Sequence, residues 1–489
     1  MRKIVFSART KTILVFLFFG LIFASITFVN HYNFRTYAWD LGINQNAIYD
    51  YAHFRGNDCM IMQPSFSNIL ADHFSLYPVL ISPFYWIFGS WTMLIFQFLA
   101  ILFGGQGVFR YVKSLTKNDN LAIIALAHFF SIWGIYSALS FDYHDNVVAA
   151  MLVPWLLYHF KEKNKGKAFL FFVLILISKE NMALWAVFIG FGLAFRSFFD
   201  RNREQMRFAL TLSFIALIYF VVIIKFVIPG LAIPGRGYLH NSFSALGNNF
   251  GEVTINILKH PLKAINLLFN NHNGNPVFDG IKGETYLAIA LAGGFAMILR
   301  PEFLIMIIPI IGQKMFNDVT LRWGISMHYS IEFAPIIVIA LYHVIYRLKK
   351  NQLHFAFVFL LICLVSTSSF LDHRVSEYYM VENNQFYKKD HWVRDFDVAA
   401  AHRSIEKIPQ NARVSAQVSL APHLAFRDYI YAFPFIGSAN YIALIPKEPN
   451  KYPLNDSTYQ ANIDNLLASK KWVVFEKTDA ILILKKVRK

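Results

Sequence analysis

Apolar residues run in long blocks along the first 370 or so positions, and short polar breaks rich in Lys and Arg separate the blocks. "KTILVFLFFGLIFASITFV" (11–29) and "FALTLSFIALIYFVVIIKFVI" (208–228) approach the ~20 residues an α-helix needs to cross a hydrocarbon core. Similar blocks lie near 12–30, 91–112, 121–139, 146–160, 168–178, 182–195, 208–228, 284–299, 302–317, 330–346 and 353–370, which predicts about eleven crossings. "SKEN" (178–181) splits one block into two pieces too short for straight spans, so the chain crosses twice or re-enters there. The N-terminus has the basic flank of a signal peptide, but no small-residue cleavage site follows its long apolar run, so it is read as a retained anchor.

Two polar stretches interrupt the blocks. Residues 31–90 contain "YAWDLGINQNAIYDYAHF", whose Ile43, Ala47, Ile48 and Tyr51 recur at helical spacing and predict an amphipathic helix on the outer membrane surface. The short, Pro-broken "LYPVLISPFYWIF" (76–88) predicts a second interfacial helix. Residues 229–283, rich in Gly, Asn and Pro, read as an outer loop that acts as a lid or acceptor-binding segment. From about 371 the pattern shortens to alternating runs within "ARVSAQVSLAPHL", "DYIYAFP", "ANYIALIP", "KWVVFEK" and "AILILKK", read as strands, with a helix near 457–469. The whole pattern predicts an all-α polytopic transmembrane bundle (1–370, with outer loops 31–90 and 229–283), interfacial helices in the first outer loop, and a small C-terminal soluble α/β domain (371–489) outside the membrane.

Composition agrees: 56% of the 489 residues are hydrophobic, too many for an ordinary soluble protein. The net charge of +16 is dispersed in clusters such as Arg110/Lys113/Lys117, Lys161/Lys163/Lys165/Lys167 and Arg196/Arg201/Arg203/Arg207. That distribution fits a positive-inside bias rather than nucleic-acid binding, and puts the N-terminus in the cytoplasm. Cys59 and Cys363, one in a loop and one in a span, make neither a disulfide framework nor a thiolate metal site.

On this topology five polar clusters face outward: Asp40; Asp72 and His73; Asp142, His144 and Asp145; Lys179, Glu180 and Asn181; and His328. Each alone reads more simply as a satisfied loop residue, whereas all five on one face describe an outward polar cavity. Sugar transfer from a lipid phosphate needs a carboxylate to take the acceptor proton and cations to hold the departing phosphate. Asp40 suits the base, and Lys179 with Arg35, Arg322 or His328 suits the phosphate. Alternatively His73, His144, Asp142 and Glu180 gather a divalent ion, Mg²⁺ or Mn²⁺, although no spacing among them forms a metal motif.

"WDLGINQNAIYD", "DHFSLYPVLISPFYWIF", "FDYHDNVVAAMLVPW", "SKENMALWAVFIGFGL", "MHYSIEFAPIIVIAL" and "IPQNARVSAQVSLAPHLAFRDYIYAFP", in that order, resemble the bacterial and archaeal membrane proteins grouped as domain-of-unknown-function family 2079. That family in turn resembles the GT-C superclass of polytopic glycosyltransferases, which use polyprenyl-phosphate sugars outside the cytoplasmic membrane. The resemblance implies a GT-C-like bundle with Asp40 as the catalytic acid of the first outer loop. Many GT-C enzymes carry paired acids there, whereas Leu41 and Gly42 follow Asp40; either His73 and Glu180 share the catalytic work, or the role is unfilled. The reading is a glycosyltransferase of the cytoplasmic membrane that moves a sugar from a polyprenyl-phosphate donor to a glycan, lipid or protein acceptor of the envelope. Its rivals are a transporter or lipid-handling protein using the same cavity without chemistry, and an inactive scaffold.

Overall fold

The structure is a computed structural model that describes residues 6–58, 60–62, 68–234, 238, 240, 242–376 and 381–487; Cys59 lies outside the described residues. The first apolar block is helix α1, Ala8–Tyr32. A π-helical turn, Ala38–Gly42, then opens into α2, Ile43–Ala52. A helical run that starts at Tyr77 continues into α3, Thr92–Thr116. Next come α4 (Asp119–Phe130), α5 (Trp133–Leu139), α6 (Asp145–Lys161), α7 (Lys165–Leu176), α8 (Glu180–Phe199) and α9 (Arg203–Val222). Two helices, α10 (Phe250–Lys259) and α11 (Pro261–Phe269), occupy the stretch expected to be loop. The apolar part ends with α12 (Ile281–Leu291), α13 (Pro301–Met315), α14 (Phe333–Arg347) and α15 (Gln352–Asp372).

Helix forms in all eleven expected blocks, but with unequal lengths. Among the described residues five helices are long and apolar enough to cross a membrane, or six if α4 and α5, bent by 48°, make one span. The other blocks form shorter helices, such as the 12 residues of α7 and the 15 of α14.

Three of the tight links share one device. Lys117, Lys163 and Arg201 adopt left-handed backbone (φ 54°, 58° and 54°), and each is followed by an Asn whose side chain caps the next helix. Asn118 accepts from Asn120 and Leu121 N–H, Asn164 from Lys167 N–H, and Asn202 from Gln205 N–H. The basic residue closes one helix and the Asn satisfies the orphan donors of the next, so the chain reverses within a few residues. All three reversals fall in basic clusters.

The chain divides into two compact units. One comprises Met1–Ala24, Gln97–Val227 and Tyr238–Gln385; the other comprises Ser25–Phe96, Ile228–Gly237 and Phe386–Lys489. In the first, α10 and α11 pack Val253 and Leu267 onto Phe243, Leu246 and Phe316. Their outer faces leave Leu258, Leu262, Ile265 and Phe269 more than half exposed, as helices resting on lipid would.

The second unit holds a five-stranded sheet, with β1 (Val414–Ala416), β2 (Ile430–Ala432), β3 (Tyr441–Leu444), β4 (Trp472–Lys477) and β5 (Leu482–Lys486) in the order β2-β1-β3-β5-β4. β1 is parallel to β2 and β3, and β5 is antiparallel to β3 and β4. The strands fall inside the stretches expected, and a helix at Asp456–Ala468 covers Ile442 and Leu444 through Tyr459 and Ile463.

One expectation fails here. The apolar face of α2 does not lie against lipid: Ile43 and Ala47 share a hydrophobic core with Val414, Ala416, Ile430, Tyr441 and Ile483 of the sheet, joined by Phe34 and Tyr37. Ala38 N–H donates to Val418 O at 2.8 Å and Asn46 Nδ2 to Ala425 O at 3.1 Å, so backbone as well as side chains tie the loop to the sheet. The exposed apolar surface of this loop lies further on, at Leu80, Phe84, Trp86 and Ile87, where an interfacial helix was expected.

A charge placed in this core would meet the full cost of burial, several kcal/mol. Ile43→Asp should therefore raise amide hydrogen exchange together in residues 38–52 and in β1–β3; exchange raised in only one of the two would show that they fold separately.

Candidate functional site

In the first unit the polar residues gather around the loop between α13 and α14. Lys314, near the end of α13 and only 3% exposed, donates from Nζ to Arg322 O and Gly324 O at 2.8 Å each and to Ser330 Oγ at 3.2 Å. One ammonium thus fixes both arms of the loop. Gly324 is needed for a steric reason: a Cβ there would come 2.4 Å from Ser376 Oγ, which accepts from Ile325 N–H at 2.9 Å. Met327 takes left-handed backbone at φ 58°, a conformation a non-glycine residue keeps only where its surroundings hold it.

This strained turn presents His328, whose ring stacks on His144 at 3.5 Å between centroids. His144 has extended backbone at the start of α6, where its N–H donates to Gln97 Oε1 at 2.8 Å. Gln97 Nε2 in turn donates to Asp142 O at 3.2 Å, so a single α3 amide reads the Asp142–His144 backbone in both directions. Tyr143 Oη donates to Asp145 Oδ1 at 2.6 Å, which leaves that acid on the first turn of α6, where the helix dipole favours it. Asn146 Nδ2 donates to Glu332 Oε1 at 2.7 Å, and the charges of Lys314 and Lys179 both act on the buried Glu332. Half-buried Lys179 precedes α8 in extended backbone; Glu180 is fully buried and accepts from Tyr238 Oη at 2.7 Å. Asn181 Nδ2 reaches Gln313 Oε1 at 3.1 Å, and the guanidinium of half-buried Arg322 lies 5.8 Å over the Tyr329 ring.

Six of the expected residues, Asp142, His144, Lys179, Glu180, Arg322 and His328, therefore belong to one unit, in a setting that also contains Gln97, Asn146, Lys314 and Glu332. The last four were not singled out from sequence, although Lys314 gave a readable signal as a lone cation inside an apolar block. Asp142, His144 and Glu180 do not bring three ligand atoms within reach of one ion.

Arg35, Asp40 and His73 belong to the second unit. Asp40 is half-buried in the π-helical turn, where Gly42 N–H donates to Tyr37 O at 3.0 Å and Asn44 Nδ2 to Asp40 O at 2.9 Å. Single π turns of this kind recur at functional positions because the wide loop re-aims a side chain. His73 is half-buried just beyond the 3₁₀ turn Ile69–Ala71, and Asp72 and His73 offer ligand atoms within 4.8 Å of each other. Arg35 has a different task from the one expected. Its guanidinium donates to His391 O at 2.6 Å, Asp390 O at 2.7 Å and Val393 O at 3.1 Å, clamping the end of α1 to the start of the C-terminal segment.

At the end of α2, Asp50 accepts from Arg55 Nη2 and Asn57 Nδ2, both at 2.9 Å. Burial outweighs these partners and pushes its carboxyl up to about 6.

The sequence pattern of a family described as predicted membrane protein (DUF2079) matches residues 30–483. The chain belongs to this family. Among solved structures it is similar in fold to ArnT from Cupriavidus metallidurans, determined bound to undecaprenyl phosphate, with a TM-score of 0.52 over 97% of this chain and 98% of that one. At 11% identity the likeness is one of fold. No match was found among curated proteins. The family description and the long apolar helices together make this a multi-pass membrane protein.

Two outcomes follow from the geometry. Lys314→Met strips two carbonyls and a hydroxyl of their shared donor and should cost about 3 kcal/mol, seen as a lower melting temperature and faster proteolysis at 322–330; an unchanged melting temperature would remove Lys314 as the clamp. For Asp50, the folded chain holds an extra proton between the ordinary value of 3.8 and about 6, so this group's contribution to stability falls as pH rises through that window. The melting temperature of Asp50→Asn should gain on wild type between pH 4 and 6 and run parallel above pH 7.

Proposed function

We propose that the protein is a glycosyltransferase of the cytoplasmic membrane that transfers a sugar from a polyprenyl-phosphate donor to an envelope acceptor at the outer face. The observation that carries this reading is the likeness of fold, along nearly the whole of both chains, to ArnT determined with undecaprenyl phosphate bound. Asp40 is the proposed base: its carboxylate takes the acceptor hydroxyl's proton as that oxygen bonds to the anomeric carbon, and the bond from that carbon to the phosphate oxygen breaks to leave polyprenyl phosphate. Within the first unit, Lys179, Arg322 and His328 are the proposed holders of phosphate charge, with Glu180 as a supporting catalytic group and Asp142 and His144 on the loop stacked against His328; within the second unit, His73 is the proposed supporting group. The Gln97 and Lys314 bonds support this assignment, because the first fixes the backbone at 142–144 and the second the backbone at 322–324.

The shared core bears on orientation. Residues 31–90 and the sheet cannot occupy opposite sides of a membrane when Ile43 and Val414 belong to one core. With the first loop outside, as the basic clusters indicate, the C-terminal segment is outside too.

Purified protein in nanodiscs, given a panel of polyprenyl-phosphate sugars and an acceptor extract, should release polyprenyl phosphate. Asp40→Asn should slow release at least 100-fold with the fold intact, the scale on which a general base contributes. Release at the wild-type rate from a folded Asp40→Asn protein would exclude Asp40 as the base, and donor binding with no release by wild type would favour a lipid-handling protein.

A further inference from the structure

Beyond α15 the chain carries an arginine that none of the sequence motifs includes. Arg374 donates from Nη1 to Ser326 Oγ at 3.2 Å, while its Nη2 is buried without a hydrogen-bond partner among the described residues. A guanidinium stays charged at any physiological pH and has five N–H donors in a rigid fork. Leaving one of these donors buried and unmade is costly, so a fold that does so without a ligand needs a reason.

The arginine is not held loosely. Val375 N–H and Ser376 N–H donate to the two oxygens of the Glu284 carboxylate at 2.5 and 2.7 Å, and Ser376 Oγ donates to the same carboxylate. Through Ser376 Oγ and Ile325 N–H this strap is fastened to the 322–330 loop, on the arm that Lys314 secures from α13. Glu284 is thus committed to backbone and hydroxyl donors, and Asp372 accepts from Gln385 Nε2 at 2.9 Å. No carboxylate among the described residues forms an ion pair with Arg374. Ser326, its one hydrogen-bond partner among the described residues, lies two residues from His328 and four from Arg322. A ligand here would meet a guanidinium edge and a hydroxyl on a loop that also carries Arg322 and His328. A tetrahedral oxyanion fits those donors, since it has oxygens enough to engage guanidinium and hydroxyl together.

We propose that Arg374 and Ser326 form a phosphate-binding subsite that takes the phosphate of the lipid-linked donor. The assignment rests on the glycosyltransferase reading and extends it to a residue outside every recognised motif.

The test measures binding of undecaprenyl phosphate and, separately, inorganic phosphate to nanodisc-embedded protein by native mass spectrometry. Arg374→Gln should weaken undecaprenyl phosphate at least tenfold, Arg374→Lys by an intermediate factor, and Ser326→Ala a few-fold, with hydrogen exchange at 322–330 unchanged. Equal affinity in wild type and folded Arg374→Gln would overturn the subsite while leaving the donor reading in place. Should Arg374→Gln fail to fold, unaltered binding by both Arg374→Lys and Ser326→Ala would overturn it equally. Binding of inorganic phosphate alone, lost in Arg374→Gln, would support the subsite and remove the lipid donor; binding of neither probe by wild type would remove both.

Discussion

Among its described residues, the segment from 31 to 90 packs its apolar face into the core of the sheet, and much of the second unit follows from that dependence. Ten residues of α2 expose one apolar face, and a lone helix of that length is marginal in water. The loop completes itself by borrowing the sheet, with Phe34, Tyr37, Ile43 and Ala47 packing against strands more than 350 positions later. The backbone bond from Ala38 to Val418 fixes the register of that union, immediately beside the π turn that carries Asp40. Arg35 does the same at the other end, gathering three carbonyls of residues 390–393.

The first unit solves a related problem with charge. Two of its loops, residues 320–332 and 142–144, make few regular backbone bonds, and Lys314 stands in for them in the first and Gln97 in the second. A buried ammonium with three acceptors and an amide that both donates and accepts are polar groups fully used, the condition under which burial is tolerated. The histidine stack and the strained Met327 persist because this frame over-determines them.

The sequence made the helices and strands legible because hydrophobic period and length are local properties. Block length was enough for α1, α9 and α15, and short apolar runs between turns were enough for β3 and β5. The face of α2 was misassigned because Ile43 and Ala47 suit a lipid surface and a protein core equally well, and only contacts distant in sequence distinguish the two. The 229–283 stretch was read as loop from its Gly and Asn content. Its helix signals were present, with Asn249 capping Glu252 N–H and Pro261 at the first turn of α11. For the site, the clusters of acids and histidines were visible as exceptions to an apolar background. Gln97, Glu332 and Arg374 were not, since a single polar residue at a helix end looks the same whether it meets water or a partner.

The shared core also sets a timetable. The loop around Asp40 is synthesised roughly 370 residues before β1, an interval of about 20–70 s at usual rates of translation. Through that interval the loop lacks the surface that completes it, open to chaperones and proteases. A chain truncated anywhere before the sheet would keep its spans and never order the turn that holds Asp40. The sheet is therefore the condition on which the Asp40 turn takes its shape.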